Sequence, residues 1–178
     1  MRALVVGGSG SGKSAFAENL ACTLSPQRTY VATMTGNDPE AQDRIARHRK
    51  QRAHMGFRTI ECAGSIATEA FNPQQDDIVL LDDLGNLVSN ALFLENGRMP
   101  NPNHVLERLD HELEELSARH HHVVVVAPLA GSEGPSAYES TRTWLRVCGT
   151  LCCRLAARFE TVIEVACGIP CAVKGALP

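Results

Sequence analysis

Eight residues near the start of the chain, Gly7-Gly8-Ser9-Gly10-Ser11-Gly12-Lys13-Ser14, follow the spacing G-x-x-x-x-G-K-[ST]. Glycines at these positions let backbone N–H groups close around a polyphosphate. Lys13 supplies a point charge to the β and γ phosphates, and Ser14 offers a hydroxyl to Mg²⁺. Both are candidate site residues, Lys13 as an electrostatic catalyst and Ser14 as a metal ligand. A second acidic element completes such a site. The apolar run Ile78-Val79-Leu80-Leu81 ends in Asp82-Asp83, and in a phosphate-loop fold an acid at that strand end stands beside the metal. Asp82 is the metal candidate, whereas Asp83 reads as the cap of the helix that follows.

The third constellation is basic. Residues Arg44-Ile45-Ala46-Arg47-His48-Arg49-Lys50-Gln51-Arg52 carry five cations and one histidine on a predicted helix, with Arg44 and His48 spaced to share a face. Crowding by cations disfavours a protonated imidazole and keeps its lone pair available, so His48 can act as a nucleophile toward phosphorus. Taken alone, the same pattern also fits a solvated helix face. His120-His121-His122 reads as a helix-to-strand turn, because consecutive residues point in different directions and do not share a metal. Cys148 and Cys152 fall on one helical face among Trp144, Leu151 and Leu155 and read as core thiols.

These groups need a scaffold that holds them together. Short apolar runs at residues 3–6, 29–32, 78–81, 123–127 and 162–165 alternate with helical patterns at 15–24, 38–54, 105–120 and 137–158. The second helix is opened by Asp38-Pro39 as cap and first-turn proline. Val123 to Val126 lack polar alternation, as a central strand covered on both sides requires. The expected fold is α/β and phosphate-loop NTPase-like (RecA-like), a mostly parallel sheet with helices on both faces. Residues 96–102, Asn-Gly-Arg-Met-Pro-Asn-Pro, are expected to form a connecting loop.

The chain has 178 residues, 44% of them hydrophobic and 21% charged, which suits a single domain over residues 1–178. A net charge of −3 gives no general attraction to nucleic acid or to an acidic membrane. No apolar run approaches the roughly 20 residues of a membrane span. Seven cysteines and only four apolar residues between Arg2 and the glycines suggest reduced thiols, no secretory signal and a cytoplasmic setting. Pattern and composition leave three readings open: a kinase, a nucleotidyltransferase acting on a small acceptor, and a GTP-binding regulator or degenerate paralogue without kinase activity.

The order of motifs is more specific than any one of them. GGSGSGKS, TYVAT at Thr29 to Thr33, RIARHR at Arg44 to Arg49, RTIE at Arg58 to Glu61 and LLDDLGNLVSNALF at Leu80 to Phe93 together resemble the adenosylcobinamide kinase/adenosylcobinamide-phosphate guanylyltransferase family. The resemblance covers nearly the whole chain. It implies phosphorylation of the aminopropanol hydroxyl of adenosylcobinamide, followed by transfer of GMP from GTP, with His48 as the covalent GMP carrier. GTP, ATP and Mg²⁺ are the implied nucleotides and metal, and a corrinoid is the implied acceptor. Besides the loop residues, it implies nucleotide contacts from Thr33, Arg49, Lys50, Gln51, Arg52, Glu61 and Asp82, and a homotrimer. Departures lie after residue 120, where Ala127-Pro128-Leu129-Ala130-Gly131 replaces the family's usual Asn-Glu-Val-Gly, and at Asp82, where the family usually has Glu.

Overall fold

The computed structural model of the chain describes residues 1–35, 39–66, 71, 77–94, 96–130 and 138–178, and of residues 39–41, 44 and 51 the backbone alone. In chain order the elements are β1 (Arg2–Gly7), α1 (Lys13–Leu24), β2 (Arg28–Ala32), α2 (Pro39–Arg52), β3 (Phe57–Glu61) and β4 (Ile78–Asp82). They continue with α3 (Leu84–Leu92), α4 (Pro102–Arg119), β5 (His122–Pro128), α5 (Glu139–Arg158), β6 (Thr161–Ala166) and β7 (Ile169–Lys174). One sheet contains all seven strands in the order β3-β2-β4-β5-β1-β6-β7. Every pairing is parallel except β6 with β7. β5 separates the phosphate-loop strand β1 from the Asp82 strand β4, as in RecA-like folds.

Alternate residues of the central strands feed two apolar layers. Val123, Val125 and Ala127 of β5 pack with α3, α4 and α5, while Val124 and Val126 pack with Ala17, Leu20 and Ala21 of α1. All four valines are fully buried. Burying each is worth about 1.5–3 kcal/mol, so neither face of this strand tolerates a polar residue. The layers hold the carboxyl ends of β2, β4, β5 and β1, neighbours in that order, at one edge of the sheet, and ligands of open α/β sheets bind at that edge.

The five expected strands fall within β1, β2, β4, β5 and β6, and the sheet has helices on both faces as predicted. Two further strands close its edges. β3 has three of its five residues exposed, and β7 is exposed along nearly all its length, so neither shows the apolar run of a central strand. β7 returns through a two-residue turn at Cys167 (φ 51°) and Gly168 (φ 80°), the left-handed pair that a tight hairpin demands. The expected loop at 96–102 ends early. The Asn101 side chain accepts from Asn103 N at 2.9 Å and Pro102 takes the first helical position, so α4 begins before residue 105. The predicted cap Asp38, and residue 137 at the predicted start of α5, lie outside the described residues.

Candidate active site

The phosphate loop is shaped by three glycine requirements. Gly10 and Gly12 have φ of 68° and 90°, which L side chains rarely adopt. At Gly7 an added Cβ would lie 2.4 Å from Ser11 Oγ and 2.6 Å from the Val165 carbonyl oxygen. The β6–β7 turn braces the loop from outside, with Gly168 N donating to the Ser11 carbonyl at 2.8 Å. Lys13 Nζ donates to the Gly8 carbonyl at 3.0 Å, which holds the ammonium beside the concave side of the loop.

Asp82 stands at the end of β4 facing the first turn of α1. Its Oδ1 accepts from Ser14 Oγ at 3.2 Å and its Oδ2 accepts from the Tyr30 hydroxyl at 2.7 Å. Burial, then the nearby Asp82 charge, raises the Tyr30 pKa well beyond the ordinary phenol range, so this hydroxyl stays a donor. A serine hydroxyl and a carboxylate are the hard oxygen donors that suit Mg²⁺. Asp83 does something different. Its carboxylate accepts from Asn86 N at 2.7 Å and caps α3, and burial raises its pKa. The two adjacent acids thus differ in partners: Asp82 accepts from Ser14 of α1, and Asp83 caps α3.

Thr33 stands apart from the other expected contacts. It is fully buried and does not line the cavity, because its hydroxyl donates to the Asp83 carbonyl and accepts from Asp83 N, both at 2.8 Å. Asn90 Nδ2 ties the Thr33 carbonyl to that of Ala63 at 2.8 and 2.9 Å. Thr33 therefore fixes the strand ends that carry the acids.

A cavity of about 1040 Å³ joins these parts to α2. Its lining runs from Ser9 through Ser14 and includes Asp82, His48, Arg49, Arg52 and Glu61. Gly7 and Gly8 lie at the base of the loop, outside that lining, and Lys50 is exposed and also outside it. The Gln51 and Arg44 side chains lie outside the described residues. Arg49 pairs with Glu61, both exposed. Arg52 is buried against Glu18 and Tyr30. Lys13 of α1 and Arg47, Arg49 and Arg52 of α2 thus line the same cavity as the Asp82 carboxylate, the Ser14 hydroxyl and the His48 imidazole. Such a site can hold a nucleoside triphosphate and offer a nucleophile to one of its phosphorus atoms.

Sequence reasoning passed over Glu18, Tyr30 and Asn86, which also line the cavity. Glu18 lies four residues after Ser14 on α1 and Arg52 four after His48 on α2, so the helical repeat was the available signal. Among the described residues no group of three or more His, Cys, Asp or Glu side chains is placed to hold a metal ion, at this site or away from it. Cys148 is buried with Cys152 packed beside it on α5, while Cys167 and Cys171 are exposed on the β6–β7 hairpin.

The family model described as cobinamide kinase / cobinamide phosphate guanyltransferase matches residues 3–173. The bifunctional adenosylcobalamin biosynthesis protein CobP of Pseudomonas aeruginosa is 32% identical over 98% of this chain and 98% of its own length. The bifunctional adenosylcobalamin biosynthesis protein CobU of Salmonella typhimurium is 40% identical over 54% of this chain and 53% of its own. Among solved structures, flagellar accessory protein FlaH from Methanocaldococcus jannaschii is 15% identical, covering 98% of this chain and 78% of its own, with a TM-score of 0.49.

Proposed function

The chain belongs to the cobinamide kinase / cobinamide phosphate guanyltransferase family, and from that premise we propose that one pocket serves two successive transfers onto a corrinoid. In the first, the aminopropanol hydroxyl of adenosylcobinamide takes the γ-phosphoryl group of ATP or GTP. In the second, GMP from GTP passes to the resulting phosphate through His48. The observation that carries this reading is the single cavity shared by Lys13, Ser14, Asp82 and His48.

In the second transfer the imidazole lone pair of His48 attacks the α-phosphorus. A P–N bond forms as the bond to pyrophosphate breaks. A phosphate oxygen of the corrinoid then attacks the same phosphorus, and the P–N bond breaks to return the imidazole. Loop N–H groups and Lys13 hold the β and γ phosphates, and Arg49 with Glu61 borders the nucleotide. Ser14 and Asp82 would hold Mg²⁺, which when bound neutralises polyphosphate charge. The γ-phosphoryl transfer requires positioning and charge stabilisation but no enzyme nucleophile. The proposal includes a homotrimer in the cytoplasm, to be tested by sedimentation and cell fractionation.

Parallel reactions with α- and γ-labelled GTP test the scheme. The expected result is acid-labile protein labelling from the α position only, lost in His48→Ala while γ-label still reaches adenosylcobinamide. Reversible GTP binding without adduct or corrinoid product would contradict it and favour a regulator.

A further inference from the structure

Helix α2 carries His48 but is weakly embedded. Among its described residues only Arg52 is buried, while the others are exposed or half-buried. Arg52 lies one helical turn beyond His48 on the same face. Its guanidinium is 3.5 Å from the centroid of the Tyr30 ring, and its Nη1 is 3.5 Å from Glu18 Oε1. Tyr30 in turn donates to Asp82, which also accepts from Ser14. A continuous set of contacts therefore runs from the last turn of α2, through β2 and α1, to the carboxylate that faces the phosphate loop.

The composition of this set argues against a simple gain in stability. Glu18 and Arg52 are 8% and 6% exposed, so the pair carries a desolvation cost that its attraction must offset. Burial raises the Glu18 pKa while Arg52 opposes the rise. The buried Arg52 Nε has no hydrogen-bond partner among the described residues. What the arrangement does supply is direction. A planar guanidinium held between a ring and a carboxylate has fewer orientations open to it than an apolar side chain in the same place would have.

We propose that Glu18 and Tyr30 are positioning residues which, acting through Arg52, set the roll of α2 and so the distance of His48 from the α-phosphorus of a nucleotide held by the loop. This rests on the reading of His48 as the GMP acceptor. Arg52 belongs to the mooring, and Tyr30 makes that mooring share Asp82 with the metal end of the site.

Two variants test it in the full-length protein: Glu18→Gln removes the charge at constant shape, and Tyr30→Leu removes the ring against which the Arg52 guanidinium lies, together with the tie to Asp82. A displacement of about 1 Å costs about 100-fold in a positioned reaction, so single-turnover labelling from α-labelled GTP is expected to slow about 10- to 100-fold. The GTP dissociation constant should change far less, and Arg52→Lys, which lacks the planar fork, should not substitute for arginine. Hydrogen exchange of the amides of residues 45–52 should quicken while β1, β4 and β5 keep their wild-type protection. If either variant does not fold, the other carries the test alone. Labelling at the wild-type rate, or slowed labelling with unchanged exchange in α2, overturns the proposal. A wild-type protein that forms no adduct removes the His48 reading instead. The mooring is then decided by exchange alone, quickened exchange sustaining it and unchanged exchange overturning it.

Discussion

Lys13→Ala separates the phosphate site from the framework that holds it. In the structure the ammonium makes one exposed hydrogen bond, to the Gly8 carbonyl at 3.0 Å. Such a bond contributes about 0.5–1.5 kcal/mol net. Lys13 is also the first residue of α1, where a cation opposes the helix dipole by about 0.3–1 kcal/mol. The two effects nearly cancel, so the variant should lie within about 1 kcal/mol of wild type, a melting shift of only about 2–4 °C for a chain of this size. Binding is different. A hydrogen bond to a charged phosphate oxygen is worth about 1.5–3 kcal/mol, so the GTP dissociation constant should rise roughly 10- to 150-fold. Turnover should fall further, because transferring charge loses its point of stabilisation. Titration calorimetry with GTP and Mg²⁺, alongside thermal melts, decides the matter. An affinity within about threefold of wild type would refute the assignment of Lys13 to phosphate, since that is below 1 kcal/mol.

Asp82→Asn removes charge at constant shape, so activity should become strongly dependent on Mg²⁺ concentration; identical Mg²⁺ titration curves would put Asp82 outside the metal shell. Asp83→Asn keeps a good helix cap and removes a carboxyl whose pKa burial has raised. A raised folded pKa means stability present at acid pH and lost as pH rises through it. The variant should therefore melt above wild type at neutral pH, with the gap closing toward pH ~4, and a melting temperature well below wild type at pH 7 would contradict this. At the β5 end, Pro128 packs against Gly85, and Trp144 donates to the Gly85 carbonyl at 3.0 Å, leaving apolar groups where the family usually has a polar pair. Kinase turnover on adenosylcobinamide should consequently be slower than guanylyl transfer to its phosphate, and side-by-side assays showing it equal or faster would refute that reasoning.

How much was readable in advance depended on burial. The four buried valines of β5 and the apolar run ending at Asp82 announce central strands because both their faces need apolar side chains. β3 and β7 are held by backbone pairing at the sheet edges, and exposed residues such as Arg58, Thr59 and Val173 carry no such signal. Cys167 hides the hairpin, since Asn, Asp or Gly would be the usual residue at its left-handed position. At the site, the loop and Asp82 were visible because glycine spacing and a strand-end acid reflect local needs. The Glu18–Arg52–Tyr30 contact joins three elements that are distant in sequence. The packing of Thr33 was hidden for a related reason: the end of β2 lies beside that of β4, so its hydroxyl meets the Asp83 backbone.

Mapping the covalent nucleotide tests the central claim most directly. After incubation with GTP and Mg²⁺ and removal of free nucleotide, proteolysis and mass spectrometry should find one GMP, acid-labile, on the peptide that carries His48. Attachment at Lys13 or at any other residue, or no attachment under conditions that yield corrinoid product, would contradict the account.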